Sequence, residues 1–296
     1  MTDDNKTLDK IVSVLISERK RDYRNRIIFR IIFFLFFISI LFLIPLAKDI
    51  NFSQPHIAVI EINGLIASET QSSAENIIPL LKQASDNENS SVIIIKVNSG
   101  GGSATQSKII YDEIIKLKEE STKEIISIIE DVGASGGYYI AMAADEIYAS
   151  QTSIVGSIGV RLDSYDVRSF FDKLGIKSRT IYSGKNKLIL DPFHELSSEQ
   201  YSHLKKLTDQ IHNQFIVDLK KSRANKLTPD ASVYSGLFYT GSEALSLGLV
   251  DGLSSLYDLK SNRYANLPIQ KYNRDNDVIQ QILKSTFYYF TESNIN

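Results

Sequence analysis

A serine flanked by glycines is the strongest candidate for chemistry in this chain of 296 residues. Ser135 lies within Gly133-Ala-Ser-Gly-Gly137, between apolar stretches that predict a strand and a helix. A hydroxyl in that turn would lie at the helix N-terminus, where free backbone N–H groups and the helix dipole stabilise a developing oxyanion. The segment also fits the G-x-S-x-G pattern of nucleophile turns. It predicts acyl transfer through Ser135, although a glycine-rich turn that only lets the helix pack closely on the strand has the same spacing.

A second glycine loop could complete such a site. Ser99-Gly-Gly-Gly102 follows Val92–Val97, whose branched apolar residues predict a strand buried on both faces. Two strand-to-helix glycine loops can supply N–H donors from two directions, as an oxyanion hole commonly does. Taken alone, this loop is equally consistent with a simple tight turn.

A serine nucleophile needs a base, and the four histidines do not identify one. His56 lies beside the apolar N-terminal region, and nothing local gives His194 a role. His203 and His212 lie on a predicted polar helix, and their separation does not match the i, i+4 spacing of a helical metal pair. The chain contains no cysteine, which excludes disulfides, thiolate zinc sites and a cysteine nucleophile. The sequence implies neither a metal nor another cofactor.

The elements around these loops predict an α/β layered domain. Strand patterns alternate with helical patterns, as in a sheet covered by helices. The net charge of −2 gives no reason to expect a nucleic-acid partner. The predicted strands are Ile57–Ile62, Val92–Val97, Ile125–Ile129, Glu146–Ala149 and Ser178–Ser183, and the predicted helices are the segment that ends at Glu120, Tyr138–Ala144, Ser164–Leu174 and Ser198–Ala224.

An apolar segment near the N-terminus predicts a transmembrane anchor over residues 27–47. Ile31–Ala47 carries no charge, and with residues 27–30 it is long enough to cross a bilayer core as a helix. Basic residues cluster upstream, so the positive-inside rule places residues 1–26 in the cytoplasm and the chain after the anchor outside it. The alternative is a cleavable signal peptide, which would have a shorter apolar region and a small-residue cleavage site. A main domain over residues 48–270 and a tail over residues 271–296 follow.

Four segments, in the same order along the chain, resemble landmarks of the signal peptide peptidase A (SppA) family, in its short single-domain form. The first contains the candidate nucleophile and the third contains two lysines. Together they extend over roughly residues 57–255. The segments are Asp131–Asp145, Val155–Gly159, Ser183–Leu188 with Asp191-Pro-Phe193, and Tyr239–Asp251.

The resemblance implies a catalytic pair of serine and lysine. Ser135 matches the family nucleophile, and Lys187 matches the lysine that acts as general base. Lys185 is the alternative, because side chains two residues apart point to one side of an extended strand. A lysine base must be desolvated to lose its proton, since an exposed lysine is protonated at neutral pH. We therefore expect Asp191 and Glu195 to point away from the amine of Lys187.

The resemblance also implies the residues that support this pair. Ser157 matches the family serine that holds the lysine ammonium group. Gly101 or Gly102 would donate one oxyanion hydrogen bond, and Gly136 would donate the other. Gly100 stands where the family loop usually has proline, so the loop is expected to be less rigid.

The resemblance further implies a ClpP/crotonase-like layered α/β fold with an N-terminal transmembrane helix. The expected activity is a serine endopeptidase that hydrolyses remnant signal peptides or other membrane-associated peptides. It would act in a bacterial inner membrane, with its catalytic domain outside the cytoplasm and its sites completed between subunits of a homo-oligomer. The alternatives are a Ser-His hydrolase of the α/β-hydrolase type, with His194 or His212 as base, and a non-proteolytic crotonase-like membrane protein.

Overall fold

The computed structural model describes residues 19–21, 23–38 and 54–272, which belong to two separate units. In the first unit, residues 19–21 and 23–38 are helical (α1), and apolar side chains from Ile27 to Phe37 are exposed. No helix within the described ranges is both long and apolar enough to cross a membrane. Residues 39–47 of the predicted anchor over residues 27–47 lie outside those ranges, so the anchor stays a prediction.

The second unit is built on a sheet of eight strands in its described part. The central path has the order β6-β5-β3-β2-β1-β8, and β4 pairs with both β3 and β7. The pairs are parallel except for β5 with β6. The strands are β1 (His56–Ile66), β2 (Ser90–Gly102), β3 (Glu124–Ala134), β4 (Glu146–Ala149), β5 (Ile154–Gly156), β6 (Phe238–Thr240), β7 (Gly252–Leu253) and β8 (Ile269–Tyr272).

Helices connect these strands and cover the sheet. Side-chain caps define several of their starts, because the first N–H groups of a helix have no partner within it. Ser103 caps α3, and Ser197 forms a capping box with Gln200 at the start of α6. The helices are α2 (Ala74–Asp86), α3 (Ala104–Glu120), α4 (Gly136–Ala141), α5 (Arg168–Lys173), α6 (Ser198–Arg223), α7 (Gly241–Ser246) and α8 (Leu256–Asn262), with a 3₁₀ turn at Ala231–Tyr234.

The central strands are buried on both faces, which explains their continuous apolar sequences. In β1, Ala58, Ile60 and Ile62 pack into the larger core with residues of α2, α3 and α4, whereas Ile57 and Val59 face a smaller core that includes a residue of α8. Successive side chains in a strand point to opposite faces, so one strand serves both cores. Each fully buried isoleucine contributes roughly 1.5–3 kcal/mol through its removal from water.

The predicted mixed α/β architecture is confirmed, and β1, β2 and β3 extend further than predicted. β1 continues past Ile62 to Ile66, and the positive φ of 69° at Gly64 accompanies a shift of register. β3 continues to Ala134 because its last residues pair with β5 after β4 has ended. β8 extends two residues past the predicted domain end at residue 270, and its Tyr272 is buried against His56.

The segment over residues 161–197, called the excursion below, is the part of the fold that differs most from the sequence prediction. The predicted strand Ser178–Ser183 is wrong for this chain: the segment is irregular, and Ile181 is 99% exposed. A strand needs a ladder partner, and the segment pairs with no strand of the described chain. The predicted helix Ser164–Leu174 is reduced to α5. None of residues 161–197 is buried.

Helix α6 is fixed to the rest of the unit mainly through its C-terminal half, where its buried residues lie. Arg223, which is 1% exposed, donates to Asp251 at 2.6 Å and to the Gly248 carbonyl. Burial alone would raise the pKa of Asp251, but hydrogen bonds from Arg223 and Lys226 outweigh burial and lower it. The N-terminal half of α6 has no buried residue, and the first buried residue of the helix is Phe215.

Candidate active site

Ser135 has a backbone conformation that a side chain rarely adopts. It stands between β3 and α4 with φ 50° and ψ −121°. Such a conformation costs on the order of 1–3 kcal/mol and persists only where the surrounding structure holds it. The Ser135 N–H donates to the Gly156 carbonyl at 2.8 Å, and the Ser135 carbonyl accepts from the Tyr139 N–H at 2.9 Å. At this junction Ser135 is half-buried and lines a cavity.

Ser157 is the second non-glycine residue of the described chain with positive φ, at 52°. It follows β5, the strand whose Gly156 carbonyl accepts from Ser135, and its own N–H donates to the Leu237 carbonyl at 2.7 Å. Both serines line the same cavity. The structure therefore brings the two predicted hydroxyl groups into one site.

The second glycine loop packs directly against the candidate nucleophile. Gly101 has φ 102°, and a Cβ added there would lie 2.7 Å from the Gly136 nitrogen and 2.9 Å from the Ser135 Cβ. A Cβ on Gly136 would in turn overlap the hydroxyl of Ser107 in α3. Backbone can approach this closely only where side chains are absent.

The hydrogen bonds of this loop distinguish its two candidate oxyanion donors. The Gly101 N–H is buried and donates to the Ser99 hydroxyl at 3.0 Å, and that hydroxyl donates to the Gly64 carbonyl at 2.6 Å. Gly102 is exposed, and its nitrogen would lie 3.3 Å from a Cβ on Gly136. The geometry favours Gly102 over Gly101 as the partner of Gly136, whose N–H begins α4. Oxyanion binding by these residues stays a prediction.

Gly101→Ala is expected to slow acylation of Ser135 roughly a hundred-fold, because the Cβ of the new alanine must displace the backbone that positions the nucleophile. Gly100→Ala is the matched control, since a Cβ at Gly100 meets no heavy atom within 4 Å. The rate of Ser135 modification by a serine-directed acylating probe, followed by mass spectrometry, compares the two. Equal rates in the two variants would show that the close approach of the loop is not needed.

The cavity has a volume of about 1010 Å³ and two unlike walls. Ser135, Ser157 and the glycine loop form one wall, and Leu207, Ile211 and Phe215 of α6 contribute to the other. The sequence interpretation missed the α6 wall. The sequence does indicate this wall: apolar residues recur every three or four positions along the predicted polar helix, which is typical of a helix with one apolar face.

Lys187 lies apart from the cavity in the single chain. It is exposed, it is not among the cavity-lining residues, and its backbone N–H donates to the Gly184 carbonyl at 3.0 Å. Lys185 is also exposed and pairs with Glu199 at 2.9 Å. The general base is thus the one predicted part of the site that the single chain does not bring to Ser135.

The carboxylates that follow Lys187 in the sequence have other partners in the single chain. Asp191 contacts the ring of His194 at 3.3 Å, and Glu195 contacts Arg168 at 3.1 Å. A hydrogen bond from the Phe193 N–H is the largest cause that holds the pKa of Asp191 below its usual value. The expected desolvation of Lys187 requires a cover that residues 161–197 of one chain do not provide.

The chain matches a known peptidase family over half its length. Residues 117–266 match the sequence profile described as Peptidase family S49. This range includes Ser135, Ser157 and Lys187 and starts after the second glycine loop.

Relatives carry different names. An Na(+)/H(+) antiporter NhaA of Brucella melitensis is 38% identical over 72% of this chain, and the chain spans only 30% of that protein's length. A candidate protease of Synechocystis is 32% identical, with 70% of this chain and 73% of that protein covered. A candidate signal peptide peptidase SppA of Enterococcus faecium is 27% identical, with 75% and 68% covered.

One similar solved structure is a membrane-bound stomatin-specific protease in complex with a substrate peptide. It is 19% identical, has a TM-score of 0.46, and the alignment covers 71% of this chain and 80% of that one.

Proposed function

The chain belongs to peptidase family S49, which places it among the serine peptidases, and we propose that it is an endopeptidase with Ser135 as nucleophile and Lys187 as general base. The conformation of Ser135 carries the proposal: φ is 50° at the junction of β3 and α4, beside a second glycine loop. Strain of this kind is retained where it positions a reacting group.

The reaction follows from this arrangement. The Ser135 Oγ attacks the carbonyl carbon of the scissile peptide bond, and its proton passes to the neutral amine of Lys187. The N–H groups of Gly102 and Gly136 donate to the oxyanion of the tetrahedral intermediate. The lysine returns the proton to the leaving amine, which gives an acyl-enzyme. A water molecule, deprotonated by the same lysine, then attacks the acyl carbon. The ester bond to the Ser135 Oγ breaks, the lysine returns its proton to that oxygen, and the second product leaves as a carboxylic acid.

A second copy of the chain supplies the lysine in this proposal. Lys187 is exposed in the single chain and lies outside the Ser135 cavity, within an excursion that has no buried residue. The excursion exposes large apolar side chains, including Tyr165 at 78% and Ile181 at 99%. Insertion of this excursion beside the Ser135 of a neighbour would bury those side chains and desolvate Lys187 together. Ser157 would then accept a hydrogen bond from the lysine ammonium group.

The proposed substrates are membrane-derived peptides, such as remnant signal peptides. The apolar wall of the cavity supports this class, and so do the exposed apolar residues of α1 as part of the predicted anchor over residues 27–47. In this proposal the anchor crosses a bacterial inner membrane once, and a ClpP/crotonase-like catalytic domain lies outside the cytoplasm. A closed homo-oligomer holds the sites at the subunit contacts.

Labelling of the full-length chain in detergent tests the proposal. A serine-directed acylating probe is expected to form one adduct on Ser135 and to block cleavage of an apolar peptide in proportion to labelling. Ser103→Ala is a control that removes the hydroxyl of the serine directly after the second glycine loop, which caps α3. A folded wild-type protein that neither takes up the probe at Ser135 nor cleaves the peptide would instead support the non-proteolytic alternative.

A further inference from the structure

A buried carboxylate behind the cavity has no part in the proposed reaction. Asp218 of α6 is 6% exposed and accepts hydrogen bonds from the Tyr139 hydroxyl and from Gln214, the latter at 3.1 Å. Lys108 of α3 lies 3.4 Å from the same oxygen and also pairs with Asp112. These three partners, from three helices, offset the cost of burying the carboxylate and hold it in one position.

The principal partner of this carboxylate belongs to the nucleophile helix. Tyr139 lies four residues after Ser135, so the two stand one turn apart at the start of α4. Its ring packs 4.4 Å from Phe215 and meets Tyr111 edge-on at 5.3 Å. Burial and the neighbouring carboxylate raise the pKa of Tyr139, so it remains a neutral hydrogen-bond donor at physiological pH.

The rings of Tyr139 and Phe215 close the cavity at its floor. They are 5% and 3% exposed, and both line the cavity that contains Ser135. Leu207 and Ile211 continue the same wall towards solvent, with exposures of 41% and 36%. A side chain that enters beside Ser135 therefore meets an apolar pocket whose depth two aromatic rings limit.

The geometry points to Tyr139 and Phe215 as the residues that determine which apolar side chain is accepted next to the cleaved bond, with Asp218 as a positioning residue that holds Tyr139. The inference rests on the proposed peptidase function and assigns the selective wall of that site. The accepted side chain is aliphatic, and the floor excludes aromatic rings. Asp218 fixes α6 to α4, so the wall and the nucleophile keep one relative position.

A set of three peptides that differ only in the residue before the cleaved bond, alanine, leucine or phenylalanine, tests the pocket. The wild type should cleave the leucine peptide with the highest kcat/KM. Phe215→Leu, which shortens the floor with little loss of apolar surface, should raise the phenylalanine-to-leucine ratio of kcat/KM about tenfold. Val217→Ala is the matched control on the same helix, since Val217 is 58% exposed on another face. An unchanged ratio in Phe215→Leu would overturn the assignment of the floor.

A second group of variants tests the positioning role. Tyr139→Phe and Asp218→Leu remove the same hydrogen bond, so each should bring the leucine-to-phenylalanine ratio towards one, and the double variant should add little. Asp218→Asn keeps an acceptor for Tyr139 and should retain the wild-type ratio. Tyr139→Phe tests the link even if Asp218→Leu fails to fold. Lower activity with unchanged ratios in Tyr139→Phe would overturn the positioning role.

The outcomes separate this inference from its premise. If the wild-type protein cleaves none of the peptides and Ser135 takes no acylating probe, both proposals fail. If the wild type cleaves the peptides and every variant has the same selectivity, the peptidase function stands and the assignment of Tyr139, Phe215 and Asp218 is wrong.

Discussion

Ser135→Ala and Ser135→Gly are both expected to lower kcat/KM by roughly 10⁴-fold or more, because neither variant has a nucleophile. Their stabilities should differ. Alanine keeps a Cβ at φ 50°, whereas glycine adopts this conformation freely. We expect Ser135→Gly to be more stable than Ser135→Ala by about 1 kcal/mol, after allowance for the greater unfolded-state entropy of glycine. Thermal unfolding in detergent should show a Tm difference of about 2–4 °C for a domain of this size.

Ser91 provides the control for this comparison. It is an exposed residue of β2 outside the cavity and does not have positive φ. At an ordinary strand position glycine is destabilising relative to alanine, so Ser91→Gly should unfold at a lower temperature than Ser91→Ala, and both should keep full activity. If glycine were also the less stable choice at Ser135, the serine would not be strained, and the main support for its role as nucleophile would be lost.

The sequence predicted the half of the site that depends on local patterns. Ser135 lies between a strand and a helix that both have strong apolar signals, and the glycines on either side of it leave few alternatives for the turn. The loop at Gly101 was recognisable for the same reason. The local patterns alone left open whether the two loops meet, because contact between Gly101 and Gly136 depends on the pairing of β2 with β3.

The excursion over residues 161–197 shows why the remainder could not be predicted. Ser178–Ser183 has the composition of a strand. Such a composition indicates only that the side chains would fit the surface of a pleated sheet. Whether a strand forms depends on a partner, and the described chain offers none. The α6 wall was hidden for a related reason. Phe215 and Ile211 lie on a helix that is polar overall, so its apolar face had no evident neighbour until the position of α4 was known.

Mixing of two inactive variants is expected to restore activity if Lys187 acts on a neighbouring copy. Ser135→Ala and Lys187→Ala should each be inactive alone. In a closed ring each site would draw its serine from one copy and its lysine from the next. With equal amounts and random assembly, half of the sites would contain an intact Ser135, and half of those would also receive an intact Lys187. About a quarter of the wild-type activity should therefore return. Peptide cleavage by rings assembled from differently tagged variants measures the recovery.

Two controls make this result specific to Lys187. Lys185→Ala should remain active, because the Lys185 amine is already paired with Glu199. In a mixture of Ser135→Ala with Lys185→Ala, every copy has Lys187 and only the Lys185→Ala copies have Ser135. The mixture should therefore be as active as its Lys185→Ala copies are by themselves. Full activity of Lys187→Ala would remove Lys187 from the mechanism. No recovery in rings that demonstrably contain both variants would mean that serine and lysine must come from one chain, which would require the excursion to fold back over its own cavity.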